Sequence, residues 1–280
     1  MSGDMPASLV FSDLDGSLLD HYSYSFEAAL PMIKALDRLG IPLILTSSKT
    51  RAEIVQLRAA LGNSHPFIVE NGAAVFIPRH SLPAQPAGTE AKGDYWLYEM
   101  APPRSRWLAV LAELAQAYPG EFDSFYSAGV TGISEMTGLS QAEAEAANDR
   151  LYSEPVRWLG TAEREACFIA RLQEAGATVF RGGRFLSVSA NCDKGAALQW
   201  LRSQYQSYQP GAGVDDIAIG DSANDLPMLE AAHTALLIRS PVHDFPELNK
   251  KDAVIHSQQC GPAGWAEGVS QWLQAKGITV

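Results

Sequence analysis

LVFSDLDGS, residues 9–17, joins a short apolar run to a polar turn. The apolar part, Leu9-Val10-Phe11, predicts a buried strand, and the turn that follows offers two carboxylates, Asp13 and Asp15. Ligands collect at the carboxyl ends of the strands in parallel α/β sheets. A strand that ends in such a turn therefore predicts a parallel sheet with a functional site at its edge.

The chain continues with alternating helical and strand patterns. Apolar spacing predicts a helix, a strand, a helix and a strand in that order, at residues 27–39, 41–45, 50–61 and 66–69. Thr50 and Glu53 are spaced as the capping box of the second helix. Both strands end in polar turns, at Ser47 and at Glu70-Asn71-Gly72. The alternation predicts a three-layer, doubly wound α/β core of Rossmann-like type.

A different pattern separates two halves of this core. Residues 78–93 are rich in Pro and Gly and mark a boundary, and the segment beyond them has its own strands and helices, beginning with a strand at Tyr95 to Glu99. The α/β pattern resumes with a helix from Lys194 and a buried strand that ends at Gly220-Asp221. The sequence therefore predicts a two-part core and an inserted α+β domain, at residues 1–85, 191–280 and 86–190 respectively.

Composition narrows the class of protein. Hydrophobic residues make up 46% and charged residues 19%, which is typical of globular proteins. The net charge of -11 argues against nucleic acid and anionic membranes as partners. No apolar run reaches the ~18 residues that span a bilayer, and the N-terminal residues lack a signal-peptide pattern. Three cysteines without CxxC spacing predict reduced thiols and a cytoplasmic location.

Each polar turn is ambiguous when it is taken alone. Asp13 and Asp15 suit a divalent cation, but a simple capping turn explains them equally well; an EF-hand is excluded because its fifth and twelfth positions would be Ser17 and Tyr24. Lys194 opposes the dipole of the helix that it begins, which indicates a bound anion or merely a solvated lysine.

The two remaining turns carry the same ambiguity. Ser47 follows a strand and precedes a helix, so its hydroxyl can either donate to a phosphate oxygen or cap the helix. The turn from Gly220 to Asp225 offers oxygen ligands of the kind that suit magnesium, or a cap.

In their order, the four turns resemble those of the haloacid dehalogenase superfamily of phosphohydrolases. The long insertion between Ser47 and Lys194 resembles the larger, C2-type cap of that superfamily. Ser17 departs from the pattern, because the superfamily usually has Thr there, but the hydroxyl is kept. A closer resemblance, to the mannosyl-3-phosphoglycerate phosphatase family, rests on residues 47–53, 69–73, 152–158, 182–185 and 261–265.

The superfamily resemblance implies a phosphomonoester hydrolase that is transiently phosphorylated on an aspartate. Asp13 would be the nucleophile and Asp15 the general acid and base, while Ser47 and Lys194 would hold the phosphoryl group. The implied cofactor is Mg2+, and its site is assigned to Asp13, Asp15, Asp221, Asn224 and Asp225. The last two would lie behind the direct ligands or orient Lys194.

The closer resemblance implies that the cap selects the substrate, 2-O-mannosyl-3-phosphoglycerate, which is converted to mannosylglycerate and phosphate. Arg184 is the candidate for the glycerate carboxylate, since a guanidinium binds a carboxylate bidentately. Further substrate contacts are assigned to Ser48, Lys49, Glu70, Asn71, Gly72, Ser153 and Glu154. The alternative is that Glu70-Asn71-Gly72 is a tight turn and Arg184 a surface pair.

Other functions remain open on the sequence alone. One alternative is a broader sugar-phosphate phosphatase or a glucosyl-3-phosphoglycerate phosphatase. A phosphomannomutase-like phosphotransferase and a non-catalytic binding protein are alternatives of other classes. The expected partner is a small phosphorylated sugar, and the expected state is a monomer or a weak homodimer.

Overall fold

The computed structural model describes residues 7–182, 184–209, 211 and 213–279. In this part of the chain the strands are β1 (Ser8–Ser12), β2 (Leu43–Thr46), β3 (Phe67–Val69), β4 (Ala74–Pro78), β5 (Glu90–Lys92), β6 (Tyr95–Glu99), β7 (Phe122–Ser124), β8 (Glu154–Trp158), β9 (Thr178–Arg181), β10 (Leu186–Ser189), β11 (Asp215–Gly220), β12 (Thr234–Arg239) and β13 (Val254–Cys260). The α-helices are α1 (Leu30–Arg38), α2 (Arg51–Leu61), α3 (Ser105–Ala117), α4 (Phe125–Thr137), α5 (Gln141–Asn148), α6 (Ala162–Glu174), α7 (Lys194–Ser207), α8 (Leu226–Ala231) and α9 (Gly261–Ala275). Short 3₁₀ segments lie at Glu27–Ala29, Glu70–Gly72 and Ala223–Asp225.

The larger sheet has the strand order β13-β12-β11-β1-β2-β3-β4-β6-β5. Its strands from β13 to β3 are parallel, and β1 lies between β11 and β2. The apolar run Leu9-Val10-Phe11 is fully buried, as a strand covered on both faces must be. The register that pairs Ser12 with Ile219 brings the carboxyl ends of β1 and β11 together. The parallel α/β core predicted from the sequence is confirmed.

The far end of this sheet departs from the parallel pattern. β4 is antiparallel to β3, with Phe67 opposite Phe76, and β6 lies between β4 and β5. The strand at Tyr95–Glu99 therefore belongs to the larger sheet, whereas the sequence assigned it to the inserted domain. The assignment is wrong because the loop rich in Pro and Gly is a local excursion that returns the chain to the same sheet.

The chain divides into two compact units. Unit 1 takes the described residues of Met1–Ser47, Arg58–Tyr98 and Asp193–Val280, and unit 2 takes Ser48–Leu57 and Glu99–Cys192. The segment Ser48–Leu57, which the sequence placed in the core, thus groups with the inserted part. Within unit 2, the Thr50 hydroxyl donates to the Ala146 carbonyl at 2.8 Å, which ties the start of α2 to α5.

Unit 2 is built on a second sheet with the order β7-β8-β10-β9, in which every neighbouring pair is antiparallel. Trp107 of α3 and Phe168 of α6 pack with Val156 and Val188 of this sheet in a buried core. This α+β arrangement agrees with the predicted inserted cap. Among the described helices none is both long and apolar enough to cross a membrane.

Candidate active site

The loop that follows β1 is held against β11 by its backbone. The amide of Asp13 donates to the Ile219 carbonyl at 2.9 Å, beyond the last strand pair. Gly16 has φ +82° and lies so close to Asp221 that a Cβ there would be 2.6 Å from the carboxylate Oδ2. Gly16 therefore permits both the turn and the close approach of the two acidic loops.

Lys194 begins α7, where the Asp193 side chain caps the helix by accepting from the Ala196 amide at 2.8 Å. The Lys194 ammonium is fully buried and donates to Asp13 Oδ1 at 2.5 Å and to Asp225 Oδ1 at 2.6 Å. The position of Lys194 at a helix N-terminus indicated a nearby negative charge. In the structure, the carboxylates of Asp13 and Asp225 supply that charge.

Burial and neighbouring charges shift the pKa values of Asp13, Asp221 and Lys194. Burial and the charge of Asp225 raise the pKa of Asp13 well above its ordinary value, although Lys194 partly offsets them. Burial, followed by the charge of Asp225, raises the pKa of Asp221 to about 6. Burial alone would lower the pKa of Lys194, but Asp13 and Asp225 raise it above its ordinary value. The ammonium of Lys194 balances only part of the negative charge of the three carboxylates, so the site has a net negative charge.

The acidic residues fit a divalent cation. Among the described residues, Asp13, Asp221 and Asp225 each offer a carboxylate oxygen within 4.8 Å of the others. Asp221 Oδ1 is buried and accepts no hydrogen bond within the described structure. A buried carboxylate oxygen without a donor is costly unless a cation balances it, and hard oxygen ligands suit magnesium.

Asp225 is engaged through both of its carboxylate oxygens. Oδ1 accepts from Lys194, and Oδ2 accepts from the amides of Asp221 and Ser222 at 3.1 Å each. These contacts suit a residue that orients Lys194 and shapes the loop, which is the indirect role expected from the sequence. Its assignment to the metal site stays a prediction, as do those of Asp15 and Asn224.

The loops after β2, β3 and β11 also meet in unit 1. The Ser47 amide donates to the Ile68 carbonyl at 3.1 Å, and the Ser47 carbonyl accepts from the Asn71 amide at 2.9 Å. The Asn224 side-chain amide donates to Asn71 Oδ1 at 3.3 Å. The residues that the sequence assigned to the core site therefore lie on neighbouring loops, although their catalytic roles stay predictions.

Glu154 of unit 2 has a different environment from the one expected of a sugar-binding residue. Its side chain is fully buried, and Oε2 accepts from the Arg104 guanidinium. Its Oε1 accepts from the Tyr126 amide at 2.8 Å, at the N-terminus of α4. Both carboxylate oxygens thus serve the interior of unit 2, which favours a structural role over a sugar contact.

Arg150 connects two of the other predicted substrate residues of unit 2. Its guanidinium donates to the Ser153 hydroxyl at 3.1 Å and to the Ser48 carbonyl at 2.8 Å. Lys49 lies 4.0 Å from Glu53, one helical turn away. These contacts leave the substrate roles of Ser48, Lys49 and Ser153 as predictions.

Arg184 lies at the C-terminal end of α4. Its guanidinium donates to the Met136 carbonyl at 3.0 Å and lies over the Phe185 ring, 5.9 Å from the centroid. Cations favour this end of a helix, where carbonyls lack helical partners. The contact agrees with the surface alternative, and the predicted role in binding a glycerate carboxylate stays untested. Gly183, which belonged to the same motif, lies outside the described residues.

Two residues near the site carried no role in the sequence analysis. Trp265 is fully buried and its indole N–H donates to the Ser12 hydroxyl at 2.9 Å, which in turn donates to the Asp13 carbonyl at 2.7 Å. His243 Nε2 lies 3.5 Å from Asp221 Oδ2. Trp265 belongs to the motif at residues 261–265. The sequence does not reveal its contact with Ser12, because almost the whole chain separates the two residues.

Comparisons with known proteins agree with the fold and the site. Residues 10–85 match the family described as haloacid dehalogenase-like hydrolase. The glucosyl-3-phosphoglycerate/mannosyl-3-phosphoglycerate phosphatase of Methanococcoides burtonii is 34% identical over 261 residues, which cover 93% of this chain and 95% of that protein.

Solved structures share the fold. A protein from Thermotoga maritima has a TM-score of 0.64 at 20% identity, over 97% of both chains. The sucrose-phosphatase of Synechocystis, solved with sucrose and phosphate, has a TM-score of 0.58 at 14% identity, over 97% of this chain and 98% of that chain.

A parallel sheet whose carboxyl edge gathers Asp13, Lys194 and Asp221 is the arrangement of a haloacid dehalogenase-like phosphohydrolase. Within that class, sequence identity to the Methanococcoides burtonii phosphatase extends along nearly the whole chain and identifies the family. The chain belongs to the family of glucosyl-3-phosphoglycerate/mannosyl-3-phosphoglycerate phosphatases. It is therefore an enzyme, a phosphatase, and hydrolases of its class use a divalent metal.

Proposed function

We propose that this phosphatase hydrolyses 2-O-mannosyl-3-phosphoglycerate to mannosylglycerate and phosphate. The observation that carries the proposal is the 34% identity, over 93% of this chain, to a relative whose name includes that activity. The same name includes glucosyl-3-phosphoglycerate, which makes the glucosyl compound the second candidate substrate. A cytoplasmic reaction agrees with the three free thiols, Cys167, Cys192 and Cys260.

In the proposed reaction Asp13 is the nucleophile. A bond forms between an Asp13 carboxylate oxygen and phosphorus while the bond from phosphorus to the glycerate oxygen breaks, and Asp15 gives a proton to the leaving oxygen. Water then attacks the phosphorus of the aspartyl phosphate, Asp15 takes the proton from that water, and the Asp13 carboxylate is released with free phosphate. During both steps, the ammonium of Lys194 offsets the negative charge of the phosphoryl oxygens, and the Ser47 hydroxyl donates a hydrogen bond to them.

The proposed cofactor is Mg2+. Asp13, Asp221 and the main-chain carbonyl of Asp15 would hold it, with Asn224 and Asp225 behind them. When bound, it supplies positive charge that offsets the clustered carboxylates and the phosphoryl oxygens. The support for this assignment is the buried Oδ1 of Asp221, which accepts no hydrogen bond within the described residues, together with the cluster of carboxylate oxygens from Asp13, Asp221 and Asp225.

A phosphate-release screen tests the substrate. The purified protein is incubated with Mg2+ and a panel of sugar phosphates that includes both glycosyl-3-phosphoglycerates. We expect the highest kcat/KM for the mannosyl compound, followed by the glucosyl compound. Equal or higher kcat/KM for simple hexose phosphates would instead identify a broader sugar-phosphate phosphatase. Phosphate release from a single sugar phosphate, without a bisphosphate activator, excludes a mutase.

The substitution Asp13→Asn tests the nucleophile. We expect turnover to fall at least about a thousandfold, because an amide does not attack phosphorus, and we expect no labelled phosphate on the variant protein. Asp252→Asn, an exposed carboxylate in the same unit, is the matched control and should keep full activity. Normal turnover by the Asp13 variant would refute the assignment.

A further inference from the structure

The turn directly after β3 holds an unusual backbone. Glu70, Asn71 and Gly72 have consecutive positive φ values of 47°, 60° and 95°. Glu rarely adopts this left-handed region, Asn adopts it more readily, and three successive residues there are costly. Such a conformation persists when the surrounding structure holds it, and it is concentrated at functional sites.

The surroundings of this turn are the loops of the candidate site. The Asn71 amide donates to the Ser47 carbonyl at 2.9 Å, and Asn71 Oδ1 accepts from the Asn224 side chain at 3.3 Å. Gly72 lies against the residue before Lys194, where a Cβ would come within 2.1 Å of the Asp193 carbonyl oxygen. One turn therefore contacts three loops, which carry the serine, the lysine and the second acidic group.

The Asn224 end of this chain of contacts continues to the carboxylates. Asn224 Oδ1 accepts from the Ser222 hydroxyl at 2.6 Å, and the Ser222 amide donates to Asp225. The Asn71 side chain is thus three hydrogen bonds from Asp225, the residue that orients Lys194. The amide oxygen and the main-chain N–H of Asn71 are thus both engaged with loops of the site, which indicates a role in holding these loops together.

We propose that Asn71 is a positioning residue of the phosphatase, which sets the relative placement of Ser47, Lys194 and the loop from Asp221 to Asp225. Its left-handed backbone directs the main chain to one loop and the side chain to another, while Gly72 lets a third loop approach. The inference rests on the phosphatase chemistry and is independent of which glycoside is the substrate.

The substitution Asn71→Gly is the most direct test. Gly keeps the left-handed conformation and the amide that donates to Ser47, so the variant loses mainly the bond from Asn224. We expect kcat to fall about tenfold for p-nitrophenyl phosphate and for the glycosyl-3-phosphoglycerates alike, with KM little changed. We also expect the rise in Tm on addition of Mg2+ to be smaller than in the wild type.

Two results would overturn the proposal. A raised KM for the glycosyl substrate, with normal turnover of p-nitrophenyl phosphate, would identify Asn71 as a sugar contact. A lowered Tm, with normal kcat for the folded fraction and a normal response to Mg2+, would identify a purely structural residue. Asn249→Gly makes the same change at an exposed position and is the matched control.

A double-mutant cycle tests the route through Asn224. If Asn71 acts through that side chain, Asn71→Gly will have little further effect on kcat in an Asn224→Ala background. Fully additive losses would contradict this route. Asn71→Ala adds left-handed strain to the same loss, so we expect a lower Tm than for Asn71→Gly but a similar kcat of the folded fraction.

Discussion

Lys194 is a single buried cation between two carboxylates, and its neighbours depend on it for charge balance. We predict that Lys194→Met will destabilise the metal-free protein by roughly 3–5 kcal/mol, the usual cost of removing one partner from a buried ion pair. Methionine keeps most of the side-chain volume, so lost packing contributes little. Urea unfolding at neutral pH with a chelator measures the free energy of unfolding.

The same variant is expected to lose turnover by at least about a hundredfold, because phosphoryl oxygens lose a preorganised cation. Lys34→Met, on the exposed face of α1, is the control and should change neither quantity. Unchanged stability of the Lys194 variant would show that Asp13 and Asp225 need no cation in the folded state.

At the level of single residues, the sequence predicted which side chains meet at the sheet edge better than it predicted their partners. The turns at Asp13, Ser47, Lys194 and Asp221 follow strands or begin a helix, so their convergence follows from the parallel topology. The double engagement of Asp225 depends on distances that no spacing rule contains. The same holds for Glu154, whose partner Arg104 is fifty residues away.

Glu154 also acts at the scale of elements, because its contacts join three helices of unit 2. Arg104 precedes α3 and donates to Glu154 and to the Asn148 carbonyl at the end of α5, while Glu154 accepts from the first turn of α4. We predict that Glu154→Gln will lower the free energy of unfolding by about 2 kcal/mol, since the charged Arg104 guanidinium then faces a neutral amide instead of a carboxylate.

Thermal unfolding and kcat/KM for the mannosyl substrate, measured on the same preparations, decide between the two roles of Glu154. Normal stability with a large rise in KM would instead support the sugar contact expected from the sequence. Glu145→Gln, an exposed glutamate on α5, serves as the control.

Elements with a clear periodic signal were predicted well, whereas three strands of the larger sheet were not. The capping box of α2 is confirmed: the Thr50 amide donates to Glu53 Oε2 and the Glu53 amide to Thr50 Oγ1. The strands β4, β5 and β13 were missed. β5 is exposed and β13 is polar, so neither shows strand periodicity, and their pairing comes from neighbours in the sheet.

Apolar spacing alone predicts a last helix at residues 268–275, but in the structure α9 begins earlier, at Gly261. Its first turns contain Gly and Pro, which are weak helix formers, so local propensity hides them. A Cβ on Gly268 would lie 2.3 Å from Leu236 of β12. Close packing against the sheet, which the sequence alone does not reveal, therefore selects glycine here over a better helix former.

At the scale of the whole molecule, stability should respond to the protonation of His65. Burial lowers the pKa of His65, with Asp37 as a partial offset, so the folded protein binds this proton less tightly than the unfolded chain. The stability contributed by the neutral ring is complete above the unfolded pKa of about 6.5 and is lost as the pH falls through the lower folded pKa.

We therefore predict that the free energy of unfolding falls less on acidification from neutral pH in His65→Gln than in the wild type. Urea unfolding with a chelator measures the free energy of unfolding of both proteins at each pH. Both proteins contain the acidic site, so its contribution cancels in the difference between them. His256→Gln, at an exposed position of the same unit and not among the groups that act on His65, is the control. A parallel pH profile for His65→Gln and the wild type would contradict the prediction.

The pairing of β1 with β11 has a consequence for how the protein is made. The partner of Ser8 in the sheet is Asp215, so the strand that carries Asp13 is synthesised long before one of its two neighbours. With about 200 intervening residues and translation at roughly 5–20 residues per second, the first strand waits on the order of 10–40 s on the ribosome. During that interval the N–H and C=O groups on one edge of β1 lack their final partners, and its apolar side chains are accessible to nascent-chain chaperones.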